Sequence, residues 1–213
     1  MKNKFFTRQI CAYAQIRRLW QEWGISMSKI AVYFPGIGYH CDKPLLYYSR
    51  SIANKLGYEN ARNVSYTYKA GNIRGNDEKM KEAYETLFAQ AEAELADIVW
   101  TEYDDVLFIS KSIGTIIAAS YAKKYGLIDA KHILYTPLAQ TFFFTPNNAI
   151  GFIGTADPWS NIDEITQLST ANHIPLIVYE NCNHSLECDD TLKNIEILKD
   201  VMQRTREFIA FGN

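Results

Sequence analysis

Ser112, Asp157 and His184 are the residues of this chain whose types and order can perform covalent chemistry. A serine hydroxyl is a weak nucleophile until a neighbouring imidazole removes its proton. A carboxylate bonded to the other ring nitrogen fixes the tautomer and stabilises the imidazolium as it forms. Ser112 stands in Ser110-Lys111-Ser112-Ile113-Gly114, where the apolar run Val106-Leu107-Phe108-Ile109 gives way to a helix-like stretch from Thr115 to Ala122. A serine on so sharp a strand-to-helix turn needs small residues two places before and two places after it. Those are Ser110 and Gly114, so serine replaces the first glycine of G-x-S-x-G.

The elements that must position these groups alternate along the chain from Met27 onward. Strands are expected at 29–34, 64–68, 106–110, 133–135, 149–153 and 176–179, and helices at 45–56, 78–99, 114–125 and 192–208. Short apolar strands alternating with helices predict a mostly parallel central sheet with helices on both faces. Residues 28–213 read as a single α/β domain, preceded by a basic, helix-compatible extension over 1–27. In such sheets ligands gather beyond the carboxyl ends of the strands. Four strand ends deliver chemistry there: Pro35-Gly36-Ile37-Gly38-Tyr39-His40, then Ser112, then Asp157-Pro158-Trp159, then His184.

In that order of nucleophile, acid and histidine, residues from about 28 onward resemble the α/β-hydrolase superfamily. The resemblance implies Ser112 as nucleophile, Asp157 as acid and His184 as base. It also implies an oxyanion hole from the backbone N–H groups of Ile113 and Ile37, with Gly38 as alternative to Ile37. Pro35 stands where many members carry histidine. The segment from Thr136 to Asn148 is too short for the lid of larger members, so the likeness is to small lidless esterases. Gly38, Tyr39, His40 and Trp159 are candidate pocket residues. Asp163 or Glu164 could replace Asp157 if that loop folds differently. His132 and His173 precede strands and so fall at the opposite edge. Lys111 reads as a solvated turn residue rather than as a draw for acidic substrates, and Phe142-Phe143-Phe144 as packing on the sheet edge.

Composition narrows the reading further. With 22 basic and 24 acidic residues, the net charge of −2 supplies no field that would recruit nucleic acid. No apolar run reaches the roughly 20 residues that cross a bilayer. The four cysteines form no C-x-x-C pair and match no zinc spacing, so no metal is expected, and reduced thiols in the cytoplasm are. Gly36-x-Gly38 is not a dinucleotide fingerprint, because Cys41 occupies the third glycine position. The expectation is a cofactor-free serine hydrolase acting on a small ester or thioester, with an apparent pKa for the base near ~7. Acyl transfer to an acceptor other than water, and a non-catalytic binding protein on the same fold, are the alternatives.

Overall fold

The computed structural model describes residues 27–69, 71 and 73–212. The extension read over 1–27 thus lies outside the described residues, apart from Met27. Among the described residues six strands form one open sheet: β1 (Lys29–Phe34), β2 (Asn60–Asn63), β3 (Asp105–Lys111), β4 (Lys131–Tyr135), β5 (Asn148–Gly154) and β6 (Leu176–Tyr179). Their spatial order is β2-β1-β3-β4-β5-β6, and every neighbouring pair is parallel. The α-helices of the described residues are α1 (Pro44–Lys55), α2 (Asp77–Glu94), α3 (Ile113–Lys124), α4 (Ile162–Ala171) and α5 (Thr191–Phe211).

Strand alternation divides the core between the two faces. Ala31 and Tyr33 of β1, Leu107 and Ile109 of β3, and Tyr135 of β4 pack against Leu45, Leu46 and Ala53 of α1 and Val201 and Phe208 of α5. Ile30, Val32 and Phe34, with Phe108, meet Leu87 and Ala91 of α2 and Ile117 and Tyr121 of α3 on the other face. Phe34 and Phe108 meet edge-to-face at 5.1 Å, an arrangement worth about 1 kcal/mol beyond area burial. Strands buried on both sides explain why β1, β3 and β5 read as continuous apolar runs.

Three local expectations are corrected. The alternation at 64–68 is not a strand, and β2 precedes it. The backbone of 65–67 is held instead by α2 side chains: Ser65 N–H donates to Glu94 Oε2 (2.8 Å), and Thr67 exchanges two bonds with the Gln90 amide (2.8 and 2.9 Å). Val64, Tyr66 and Tyr68 therefore alternate because they pack under α2, not because they join a ladder. The helix α4 was not anticipated, although Asn161 caps it by accepting from the N–H groups of Asp163 and Glu164 (3.0 and 3.1 Å). Both acids are exposed in its first turn. His132 does not precede β4 but is its second residue. It is buried, its Nδ1 has no partner, and burial pushes its pKa down to about 4.

Between β4 and β5 the chain makes only a short 3-10 turn at Ala139–Phe144, so no lid is inserted there. Phe142 is buried against Leu134 and Ile153, Phe144 stacks on Tyr84, and Phe143 faces solvent. Among the described residues no helix is long and apolar enough to cross a membrane.

Candidate active site

Ser112 occupies the turn from β3 into α3 with φ 57° and ψ −128°, a conformation L-residues avoid. Such strain costs on the order of 1–3 kcal/mol and is held by its surroundings. The Ser112 N–H donates to Tyr135 O (3.0 Å), and its carbonyl accepts from the Thr115 N–H (2.8 Å) and hydroxyl (2.6 Å). Gly114 allows α3 to start beneath β1, since a Cβ there would collide with Phe34 O and lie 2.5 Å from Pro35 O. Ser110 fills the place of the usual glycine because its hydroxyl is absorbed into the sheet, donating to Ile133 O at 3.0 Å. That hydroxyl is buried and committed, which leaves Ser112 as the free serine of the turn.

The loops after β5 and β6 are stitched together before they present their side chains. Thr155 N–H donates to Tyr179 O (2.9 Å), Ala156 N–H to Cys182 O (3.0 Å), and Asn181 N–H to Thr155 Oγ1 (2.8 Å). Asn183 anchors the turn around His184, its Oδ1 accepting from Ser185 N–H at 2.7 Å. In consequence His184 Nε2 lies 2.7 Å from Ser112 Oγ, and Nδ1 lies 2.7 and 2.9 Å from the two Asp157 oxygens. Asp157 is acceptor-only when ionised, so Nδ1 carries the proton and Nε2 accepts from the serine hydroxyl. Asp157 Oδ1 also accepts the Trp159 N–H at 2.8 Å, and the Trp159 ring stacks on the imidazole at 5.5 Å.

A cleft of about 390 Å³ opens over these groups, lined by Ile37, Gly38, Tyr39, Trp159 and, beyond the expected set, Ile73, Met80 and Leu138. Its wall is apolar, and its polar groups converge on Ser112, a usual pattern for a small-molecule site. Gly36 and Tyr39 close a tight turn through paired backbone bonds of 3.1 Å, with Ile37 and Gly38 (φ 73°) at its tip. Neither Ile37 N–H nor Ile113 N–H has an acceptor among the described residues. Ile113 is the first residue of α3, where N–H groups lack intrahelical partners and the helix dipole favours negative charge. His40 does not line the cleft: its exposed ring turns to Asp42, 3.9 Å away. His173 is exposed ahead of β6, at the opposite end of the strands.

Lys111 contradicts its expected role as a solvated turn residue. It is the last residue of β3, only 3% exposed, and its Nζ lies 4.9 Å from the Tyr39 ring centroid. Nothing in composition marked it, because an isolated lysine next to a turn is usually in water. Cys41 is buried and its thiol is pushed up to about 12, which removes it as a rival nucleophile. Among the described residues no cluster of His, Cys, Asp and Glu could hold a metal ion.

Burial holds the His184 pKa below the ordinary imidazole value; the Asp157 bond opposes this and the Lys111 charge adds to it. The expectation of a value near 7 is thus moved downward. With His184 as base the imidazole must be neutral to accept the serine proton, so activity is expected to persist as pH falls and to be lost only through that depressed pKa. The acid limb of kcat/KM is therefore expected below ~6.5, the unperturbed value. A rate profile on a neutral ester reads this directly, and a midpoint above 7 would contradict it.

No protein-family model matches the sequence, and no curated protein is similar to it. Solved structures are similar in fold. Est1E of Butyrivibrio proteoclasticus superposes with a TM-score of 0.59 at 10% identity, covering 86% of this chain and 87% of its own. An esterase of Pyrococcus furiosus gives 0.57 at 13% identity, covering 86% and 83%. A serine hydrolase without a lid from Xanthomonas campestris gives 0.53 at 14% identity, covering 85% and 83%. The chain has the α/β-hydrolase fold in its lidless form.

Proposed function

We propose that this α/β-hydrolase-fold chain is a serine hydrolase that cleaves a small ester or thioester through an acyl-enzyme. The observation that carries the reading is the continuous chain of bonds from Ser112 Oγ through His184 to Asp157, at 2.7 Å on either side of the ring. In the first half-reaction Ser112 Oγ attacks the carbonyl carbon while His184 Nε2 takes the hydroxyl proton. The tetrahedral oxyanion falls to the N–H groups of Ile113 and Ile37, each such donor being worth about 3 kcal/mol in the transition state. The C–O or C–S bond then breaks, and His184 returns the proton to the leaving alcohol or thiol. In the second half-reaction water attacks the acyl carbon while His184 takes its proton, the bond from the acyl carbon to Ser112 Oγ breaks, and His184 passes the proton to Oγ as the acid leaves.

Asp157 keeps Nδ1 protonated throughout and offsets the positive charge that the ring acquires. Trp159 keeps the imidazole from rotating, because its ring lies against one face. The open cleft and the lack of a lid suit a compact, soluble substrate rather than a long acyl chain. The triad would be active in the cytoplasm as in any neutral compartment.

The test is stopped-flow release of para-nitrophenol from a short-chain ester. An acyl-enzyme predicts a rapid burst of about one equivalent per chain before steady turnover when deacylation is the slower step. Ser112→Ala is expected to show no burst. A burst of equal size in that variant would sink the reading.

A further inference from the structure

Lys111 is a buried charge that the triad chemistry leaves unused. In phase with Leu107 and Ile109 on β3, it faces the side of the sheet covered by α1 and α5. Its Nζ makes no hydrogen bond or ion pair among the described residues and has only the face of Tyr39 beside it. A second, partly buried lysine shows that the fold can satisfy such a group. Lys131, at the opposite end of the same sheet, donates to Asp105 Oδ2 (2.9 Å), Tyr58 Oη (3.1 Å) and Ile209 O (3.4 Å).

The charged and titratable groups around Lys111 do not complete it. Tyr39 comes from the loop after β1, and its hydroxyl accepts the Leu45 N–H at 3.1 Å. Asp157, after β5, is committed to His184 and Trp159. Glu187, after β6, is exposed and acts only through space, as Asp157 does. Burial accordingly drags the ammonium down to about 7, with these two carboxylates opposing the shift. An ammonium withdrawn from water without an acceptor is costly, and an aromatic face offsets only part of that. Yet Lys111 lines the cleft together with Ser112, Gly38 and His184.

We propose that Lys111 is the anion-recognition group of this cleft, and that the substrate is an ester or thioester whose acyl part carries a free carboxylate. This rests on the serine-hydrolase reading above. A carboxylate fits better than a phosphate, because among the described residues Lys111 is the one lysine or arginine that lines the cleft, set among the apolar side chains of Ile37, Ile73, Met80, Leu138 and Trp159. The acyl side is indicated because Lys111 is joined directly to Ser112, the residue that would carry the acyl group. The net reaction takes a dicarboxylic monoester and water to a dicarboxylate, an alcohol and a proton.

Two esters of matched chain length test this, the mono-para-nitrophenyl ester of adipic acid and para-nitrophenyl hexanoate. The wild-type protein is expected to favour the adipate ester in kcat/KM by about tenfold or more, as for a charge-assisted hydrogen bond. Lys111→Met and Lys111→Gln are expected to erase or invert that ratio; a ratio unchanged in a folded variant overturns the proposal. A binding measurement separates this from the catalytic reading. Calorimetry with adipate on Ser112→Ala needs no turnover, and binding that vanishes in Ser112→Ala/Lys111→Met supports the anion site even if no ester is cleaved. Adipate binding that is absent from Ser112→Ala, or that survives loss of the lysine, overturns it whatever the esters do.

Discussion

Asp157→Asn is expected to lower kcat for ester hydrolysis by about four orders of magnitude while leaving the fold intact. The local bonding explains why so small a change is so damaging. Oδ1 of Asp157 accepts the Trp159 N–H at 2.8 Å. An asparagine would keep that bond through its carbonyl oxygen, which turns its NH₂ toward Nδ1 of His184. The amide then donates where the carboxylate accepted, Nδ1 loses its proton, and the proton moves to Nε2. With Nε2 protonated, the ring can no longer accept from Ser112 Oγ, 2.7 Å away. Ser112→Ala should cost at least as much, and adding Asp157→Asn to it should cost little more, because groups acting as one unit lose function together. Steady-state kinetics on the two single variants and the double variant measure this. Additive losses would mean that the three groups do not act as one.

Gly114→Ala is expected to destabilise the protein by about 3 kcal/mol, at the upper end for overpacking, and to lower activity at the same time. The added Cβ would meet backbone oxygens of Phe34 and Pro35, not the yielding end of a side chain. Relief requires α3 to move away from β1, and α3 carries both the Ser112 turn and the Ile113 N–H. A displacement of about 1 Å at a reacting group can cost on the order of 100-fold in rate. Urea denaturation and kcat/KM on the same preparation read both effects. Gly71→Ala is the control for stability, since nothing among the described residues lies within 4 Å of a Cβ placed there. Gly114→Ala with wild-type stability and rate would show that the turn is more compliant than its contacts imply.

The ends of β1, β3, β5 and β6 were legible because each strand is a short apolar run closed by turn residues, and the parallel run from β1 to β4 follows from the helices expected between them. The order Ser112, Asp157, His184 carried the location of the cleft for the same reason. What escaped was the environment of single side chains. Lys111 looked like a turn residue because sequence cannot show that β3 runs one residue further and buries it against Tyr39. The alternation of Val64, Tyr66 and Tyr68 was real, yet it recorded packing under α2, where Glu94 and Gln90 satisfy the backbone. His40 belonged to the right loop and turned outward, since Tyr39 takes the inward position of that turn. The depressed pKa of His184 likewise needed the burial and the Lys111 charge, neither of which is written in the residue order.

The central claim is that Ser112 is a nucleophile activated by His184. Treatment with a fluorophosphonate, followed by intact mass and peptide mapping, tests it without knowledge of the substrate. One adduct per chain on Ser112, absent from Ser112→Ala and strongly slowed in His184→Ala, is the predicted result. Equal labelling of wild type and Ser112→Ala, or an adduct mapped to another residue, would contradict it.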